Sequence, residues 1–296
     1  MVNSPSGDPT VICALEYPVK SCSPIVYGPD DRVVVTPHGL GHDRHAALIG
    51  ADGSKRTQRD RGFEVLARVR PSFRDNALVL DAPDMPRIVV PYSAHDGPLV
   101  TVDIWGDLCE AMVQEWGEVT KEGVLCPARV SDWLTEYLRK AAQVEETCRL
   151  VRQRGARLLG NRENTPPTTP ASLADGAHVL LVSSASHDAF NAELKEAGEP
   201  EVPMSRWRPN LIVEGLEPWA EKDIGRVRLG SAVLKGVRDC TRCSIVNVTQ
   251  ETGVRRKGDQ TLKTVAQKHG NVFGRYMLVE EPGSFMVGDR MESLED

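Results

Sequence analysis

Short apolar runs, each broken within a few residues by Pro, Gly or Asp, fill the first third of the chain: "VICALEYPVKS", "DRVVVTP", "HAALIGADG", "NALVLDAP", "RIVVPY" and "LVTVDIWG". They are rich in Val and Ile and too short for helices, so they predict strands, at the spacing of small barrels and curled sheets. Helices enter later. From Ser131, read as an N-cap, Leu134, Tyr137, Leu138 and Ala141 recur at helical spacing and form one apolar stripe suited to core packing. The polar stretch "GNRENTPPTTPASLADG" (160–176) is too rich in Pro and Thr for a regular element and reads as a connection. Beyond it come a strand "HVLLVSS", a helix from Ser186 closed by Gly198, a strand "NLIVEG" and strands around 226–249. A last helix is started by Asp259 and stopped by Gly270, and "GRYMLVEEPGSFMVGD" reads as a closing hairpin. The expectation is a mostly β, α+β chain: an N-terminal barrel-like domain over 9–150, a connection over 151–174 and a second β domain over 175–296.

With 296 residues the chain can bury a proper core without disulfides. Its seven cysteines are odd in number and scattered, and the opening "MVNSPSGDPT" has no apolar leader, which together read as a reduced cytoplasmic protein. No apolar run approaches a membrane span. A formal charge of −6 argues against a general nucleic-acid binder, although local basic clusters can still hold a small anion.

The densest chemistry lies in "KGVRDCTRCSIVNVT" (235–249), where Cys240 and Cys243 stand three apart with Arg238 and Arg242 beside them. A structural zinc site needs two more ligands, and no second cysteine pair or spaced histidines supply them. A thioredoxin-like pair belongs at a strand-to-helix turn, whereas a strand is expected to follow here. Two half-buried cysteines of no chemical role are the plain alternative; the neighbouring guanidinium groups favour thiolate and anion contacts instead. His38, His42 and His45 invite a metal reading, but Gly39 and Gly41 break any helix that could bring them onto one face.

"DCTRCSIVNVTQETG" resembles the Cys-x-Arg-Cys segment of MOSC domains, the molybdenum-cofactor-binding domains of the mitochondrial amidoxime-reducing component, of its bacterial relatives and of molybdenum cofactor sulfurases. Four more segments follow the family order: "YPVKSC" (17–22), "GLGHDRHAALIGADG" (39–53), "RWRPNLIVEG" (206–215) and the ending "GRYMLVEEPGSFMVGD". The resemblance implies an N-terminal β-barrel followed by a MOSC β-barrel with flanking helices, the molybdenum cofactor (Mo-molybdopterin) lying between them. It places the metal on Cys243 and leaves Cys240 structural. It gives the pterin and its phosphate to Lys20, Ser21, Arg44, Arg208 and Asn210, with Thr241, Arg242 and Tyr276 close by. Soft thiolate suits such a metal, and forked cations suit a phosphate.

Taken singly, these residues have plainer readings. Lys20 reads as a solvated strand end, Arg44 as a surface partner of Asp43, Asn210 as a turn residue and Tyr276 as core. The chain also departs from the amidoxime-reducing pattern: Asp175 is kept in the loop before "HVLLVSS", but Ala177 and His178 stand where relatives carry Ser-Pro. His178 is either a new acid or base or a capped strand start. The function implied is molybdenum-dependent reduction of an N-hydroxylated small molecule with electrons from a cytochrome b5-like protein or a ferredoxin with its reductase. No nucleic-acid or membrane partner is expected. Sulfur transfer through a Cys243 persulfide, or cofactor carriage without turnover, uses the same thiolate.

Overall fold

The computed structural model describes residues 8–91, 96–121, 124–155, 157–160 and 162–295. The opening residues 1–7, Tyr92 and Asn161, on which parts of the sequence reading fall, lie outside them.

All six apolar runs of the first third contain strands. Two five-stranded antiparallel sheets make the N-terminal half. One is ordered Asp96–Ile104, Asp107–Gln114, Arg149–Gln153, Ala46–Ile49, Lys55–Arg56, and the other Val124–Arg129, Trp116–Lys121, Ile88–Pro91, Ala77–Asp81, Arg70–Arg74. Helix α1 (Val130–Ala142) packs Trp133, Leu134, Tyr137 and Leu138 into the core between them, against Leu48, Leu78, Leu80, Ile88 and Leu150. The buried Tyr137 hydroxyl donates to the Val65 carbonyl at 2.6 Å, so its polar tip is satisfied. Ala47, Ile49, Val102, Ala111 and Val151 form a second cluster with Leu173 of the connecting segment.

The other half is built on an eight-stranded sheet. Its centre is Leu211–Glu214, Val179–Ser183, Val272–Glu281 and Ala232–Thr241; the 179–183 and 211–214 strands pair in parallel, and the other central pairs are antiparallel. Two edge-side strands come from the far end of the chain: Thr10–Glu16 pairs with Leu211–Glu214, and Ile25–Tyr27 pairs with Thr10–Glu16. Helices α2 (Ser184–Glu196) and α3 (Thr261–His269) cover one face, around Phe190, Trp207 and Phe273, with the Trp207 and Phe273 rings stacked at 3.7 Å. No helix among the described residues is long and apolar enough to cross a membrane.

Two local expectations are corrected. The ending is not a hairpin: Val272–Glu281 pairs with neighbours on both sides within the large sheet, while Gly283–Met286 pairs with Arg32–Thr36. Pro282, which lacks a ladder N–H, separates the two strands, and the N-terminal segment offers the second a free edge. After Cys243 comes a 3-10 turn, Ser244–Asn247, before the short strand Val248–Thr249. Helix ends shift slightly as well. Gly270 closes α3 in the left-handed conformation, but the N-cap of α3 is Gln260, with Asp259 one residue earlier accepting the Thr261 N–H at 2.9 Å, and α1 begins at Val130 and α2 at Ser184.

His178 resolves as a structural residue. It is almost fully buried; its Nδ1 accepts the Val279 N–H at 2.9 Å, so Nε2 carries the proton and donates to the Pro170 carbonyl at 2.6 Å. Burial pulls its pKa down to about 4 from the ordinary 6.5. Between those values the unfolded chain binds the extra proton, so this contribution to stability is present above pH 6.5 and is lost as pH falls toward 4. The variant His178→Gln should therefore show a smaller loss of urea midpoint across that window than the parent chain; an unchanged loss counts against the assignment.

Candidate functional site

A cleft of about 510 Å³ opens where the two halves meet. Lys20, Ser21, Arg44, Arg208, Asn210, Thr241, Arg242, Cys243 and Tyr276, the nine residues carried by the resemblance, all line it. They come from separate elements. Lys20, Ser21 and Arg44 sit on the turns around Ala46–Ile49; Arg208 and Asn210 precede Leu211–Glu214; Thr241 ends the long strand that leads to Cys243; Tyr276 faces them from the neighbouring strand.

The two cysteines differ sharply. Cys240 is buried beside Trp207, Val246 and Phe273, and its sulfur accepts Arg242 Nη1 at 3.0 Å. Cys243 is half-buried, lines the cleft and precedes the 3-10 turn. Both line the cleft, but strand alternation and the turn at Arg242 leave one thiol almost fully buried and the other partly exposed where a ligand can reach it. Arg242 is itself fixed by a 2.6 Å bond from Nη2 to the Trp207 carbonyl.

Among the described residues, seven cations line this cleft in a chain of net negative charge. Lys20 Nζ donates to Asp175 Oδ1 at 2.5 Å and to the Leu173 carbonyl at 2.8 Å. Burial lowers the Lys20 pKa to about 8, against the opposing pull of Asp175. For Asp175 burial acts against the charge, but Lys20 and Arg59 outweigh it and hold the carboxyl far below the usual range. Both directions describe an ionised Asp175 facing a lysine that gives up its proton more readily than one in water.

Arg44 pairs with Asp43 and donates to Asn210 Oδ1 at 3.0 Å; Arg208 donates to Gln250 Oε1 at 2.8 Å and to the Cys22 carbonyl at 2.9 Å. Both guanidinium groups lie over the Tyr17 ring, at 4.5 and 4.3 Å. Asn210 is saturated: its amide nitrogen donates to the Leu15 carbonyl and Asp43, and its oxygen accepts Arg44 and the Leu180 N–H. It therefore orients its neighbours and keeps nothing free for a ligand. Ser21, Arg44 and Arg208 all adopt left-handed backbone, with φ of 72°, 52° and 51°. Non-glycine residues held this way cost on the order of 1–3 kcal/mol each and gather where side-chain direction matters more than local comfort. Tyr276 lies against Gly176, where an added Cβ would meet its ring at 2.7 Å. Burial and the adjoining Cys240 push its phenol well above the ordinary range.

Sequence reasoning missed Arg59, Trp105 and Arg162, which line the same cleft. Arg59 Nη2 pairs with Asp175 Oδ2 at 2.8 Å, while its Nε and Nη1 are buried and have no hydrogen-bond partner. Burial opposes its charge, but Asp175 and Cys243 outweigh that and raise its pKa. Arg59 and Arg162 sit in polar stretches without any motif, and Trp105 stands at a hairpin turn, so no local pattern marked them. His38, His42 and His45 do cluster, with ring centroids 5.7 and 6.3 Å apart for two of the pairs, but outside this cleft; among the described residues no group of three His, Cys, Asp or Glu is placed to hold a metal ion. A larger groove of about 660 Å³, walled by Pro, Thr and Leu, touches His178, whose ring nitrogens are both committed.

The profile of the MOSC domain matches residues 168–292, and that of the MOSC N-terminal beta barrel domain matches residues 9–141. The chain is 28% identical to mitochondrial amidoxime-reducing component 1 of Xenopus laevis, over 93% of its own length and 79% of that protein. It is 27% identical to mitochondrial amidoxime reducing component 2 of Rattus norvegicus, over 95% of its length and 82% of that protein. It is also 27% identical to the molybdenum cofactor sulfurase of Anopheles gambiae, over 91% of its length but only 34% of that longer protein.

Lys20 supplies a test of the anion site. In the folded chain it deprotonates near 8, and unfolded near 10.5. Between those values the unfolded state holds more protons, so the Lys20 contribution to stability rises with pH while the cleft loses a positive charge. Sulfate, whose charge is constant there, should bind more weakly by calorimetry as pH goes from about 7 to about 9.5, with no matching fall in urea midpoint. Sulfate affinity that ignores this window places the anion elsewhere. With both profiles in the family order and this cleft between them, the chain is a MOSC-domain protein with a MOSC N-terminal β-barrel domain, distantly homologous to amidoxime-reducing components and molybdenum cofactor sulfurases.

Proposed function

We propose that this chain binds the molybdenum cofactor in the cleft and reduces N-hydroxylated small molecules with electrons from another protein. The observation that carries this reading is the placement of Cys243: a partly exposed thiol at the wall of a cleft crowded with forked cations, while Cys240, at the same wall, is almost fully buried and its sulfur is taken by Arg242. The residues present suit the group. A thiolate is the soft ligand molybdenum prefers, and the forked cations Arg44 and Arg208 together with Lys20 suit a pterin phosphate. When bound, the cofactor supplies the redox-active metal.

The protein's own part is positioning. Cys243 would hold the metal; Lys20, Arg44 and Arg208 would hold the anionic end, with Asn210 and Asp43 fixing Arg44. Tyr276 lines the cleft, and burial and the adjoining Cys240 keep its phenol protonated. Names of relatives include amidoxime reduction, which supports the substrate class. The electron donor is read as an external haem or iron–sulfur protein, because the sequence carries no cysteine run for a cluster and no Gly-x-Gly-x-x-Gly fingerprint.

Protein made in a host with intact molybdenum cofactor synthesis should carry about one molybdenum per chain, lose it in Cys243→Ser and keep most of it in Cys240→Ser. Metal-free protein with labile sulfur on Cys243 decides for sulfur transfer instead. Lys20→Met and Arg208→Met, which keep the aliphatic stems, should lower molybdenum retention while the chain stays folded by circular dichroism. If both unfold although the wild type is stable without cofactor, their role is structural. The loaded protein should be inert toward benzamidoxime with NADH or NADPH alone and active with a reduced viologen, and Cys243→Ala should abolish that activity.

A further inference from the structure

The cleft holds more positive charge than the cofactor reading uses. On its Trp105 side, Lys20 and Arg59 share the single carboxylate Asp175, and Arg162 shares Asp107 with the buried Arg157. Arg238 has no carboxylate partner among the described residues; it donates to the Gly176 carbonyl and to Thr165 Oγ1. Among the described residues that line the cleft, Lys20, Arg59, Arg162 and Arg238 thus meet the carboxylates Asp175 and Asp239, the latter already paired with Arg275, and of these four cations only Lys20 belongs to the set assigned to the cofactor.

Trp105 sharpens the point. It is the first central residue of the two-residue turn Trp105–Gly106 joining Asp96–Ile104 to Asp107–Gln114, with φ of 60° and 89° at the two positions. Such a turn favours Asn, Asp or Gly, and a bulky residue there is strained. The ring is nonetheless turned onto the cleft: Nε1 donates to Asp175 Oδ1 at 3.0 Å, Lys55 Nζ and Arg59 lie over the ring at 4.4 and 5.2 Å, and the side chain stays 57% exposed. A large aromatic surface left in water beside unsatisfied guanidinium donors is how proteins recognise a flat anion.

Resting on the reductase reading of the same cleft, we infer that the substrate is planar and carries an anionic group, a carboxylate or its equivalent. Trp105 supplies the surface for its ring and Arg59 the charge for its anion, with Arg162 and Arg238 adding to the local potential.

The test separates this inference from the reductase reading. Binding of 4-carbamoylbenzoate, a flat anion that cannot be reduced, is compared with that of neutral benzamide by calorimetry on the cofactor-loaded full chain. The anion should bind about tenfold more tightly, a preference that weakens with added salt and collapses in Arg59→Ala. Trp105→Asn, which relieves the turn, should weaken anion binding while leaving or raising the urea midpoint; a lowered midpoint with unchanged binding would make Trp105 structural and overturn its role. Equal affinity for the two probes, no binding of either, or a preference untouched by Arg59→Ala overturns the inference. If the anion is preferred but 4-carboxybenzamidoxime is not turned over with a competent donor, the planar-anion site stands and the reductase reading on which its substrate role rests fails.

Discussion

The structure turns on one buried polar knot, the meeting of Asp43 and Asn210. Asp43 Oδ1 accepts the Tyr17 N–H at 2.8 Å and Asn210 Nδ2 at 3.0 Å, while Asn210 also holds the Leu15 carbonyl, the Leu180 N–H and Arg44. Four backbone or side-chain partners from separate parts of the chain are satisfied by two side chains that are almost fully buried. In such surroundings an unmet polar group costs more than its hydrogen bond gains, so the knot is kept whole or not at all. Keeping it whole docks the first strand onto Leu211–Glu214 and sets Arg44 at the cleft.

That docking explains how the cleft can be rigid although it is assembled from both ends of the chain. Arg44 donates its backbone N–H to the Tyr17 carbonyl, and its own carbonyl accepts Leu173 N–H. Its left-handed backbone is thus fixed from both sides, as Arg208 is fixed by Gln250, the Cys22 carbonyl and the Tyr17 ring. Gln250 in turn exchanges amide bonds with Gln58, whose Nε2 also donates to the Ser21 carbonyl. The strain at Ser21, Arg44 and Arg208 is stored in a web of buried hydrogen bonds that joins the two halves. Positive charge is concentrated here against the sign of the whole chain, which is what a site for a compact anion requires.

Much of this was legible beforehand. Period and punctuation marked the early strands, because a half-buried strand must alternate and a turn must use residues that tolerate it. The Cys-x-x-Cys with its arginines stood out because thiol and guanidinium together are chemically rare outside sites that use them. The nine residues that share the cleft were reached through resemblance, since Lys20 or Asn210 alone carries no local signal. The closing strands were misread as a hairpin for a definite reason: the apolar pattern of "GRYMLVEEPGSFMVGD" states that two strands exist, but not which edges they find.

What the sequence determined by itself was local: the strands, the helix spacing, the thiol pair and the acidic overall charge. What tertiary structure decided was non-local. It buried Cys240 and left Cys243 partly exposed at the cleft, committed both nitrogens of His178, and brought Arg59 and Trp105 to Asp175 across 116 and 70 residues of chain. Local patterns follow from backbone geometry and solvation within a few residues. Which distant groups share one carboxylate is set by how separate sheets close on each other, and that is written only in the folded chain.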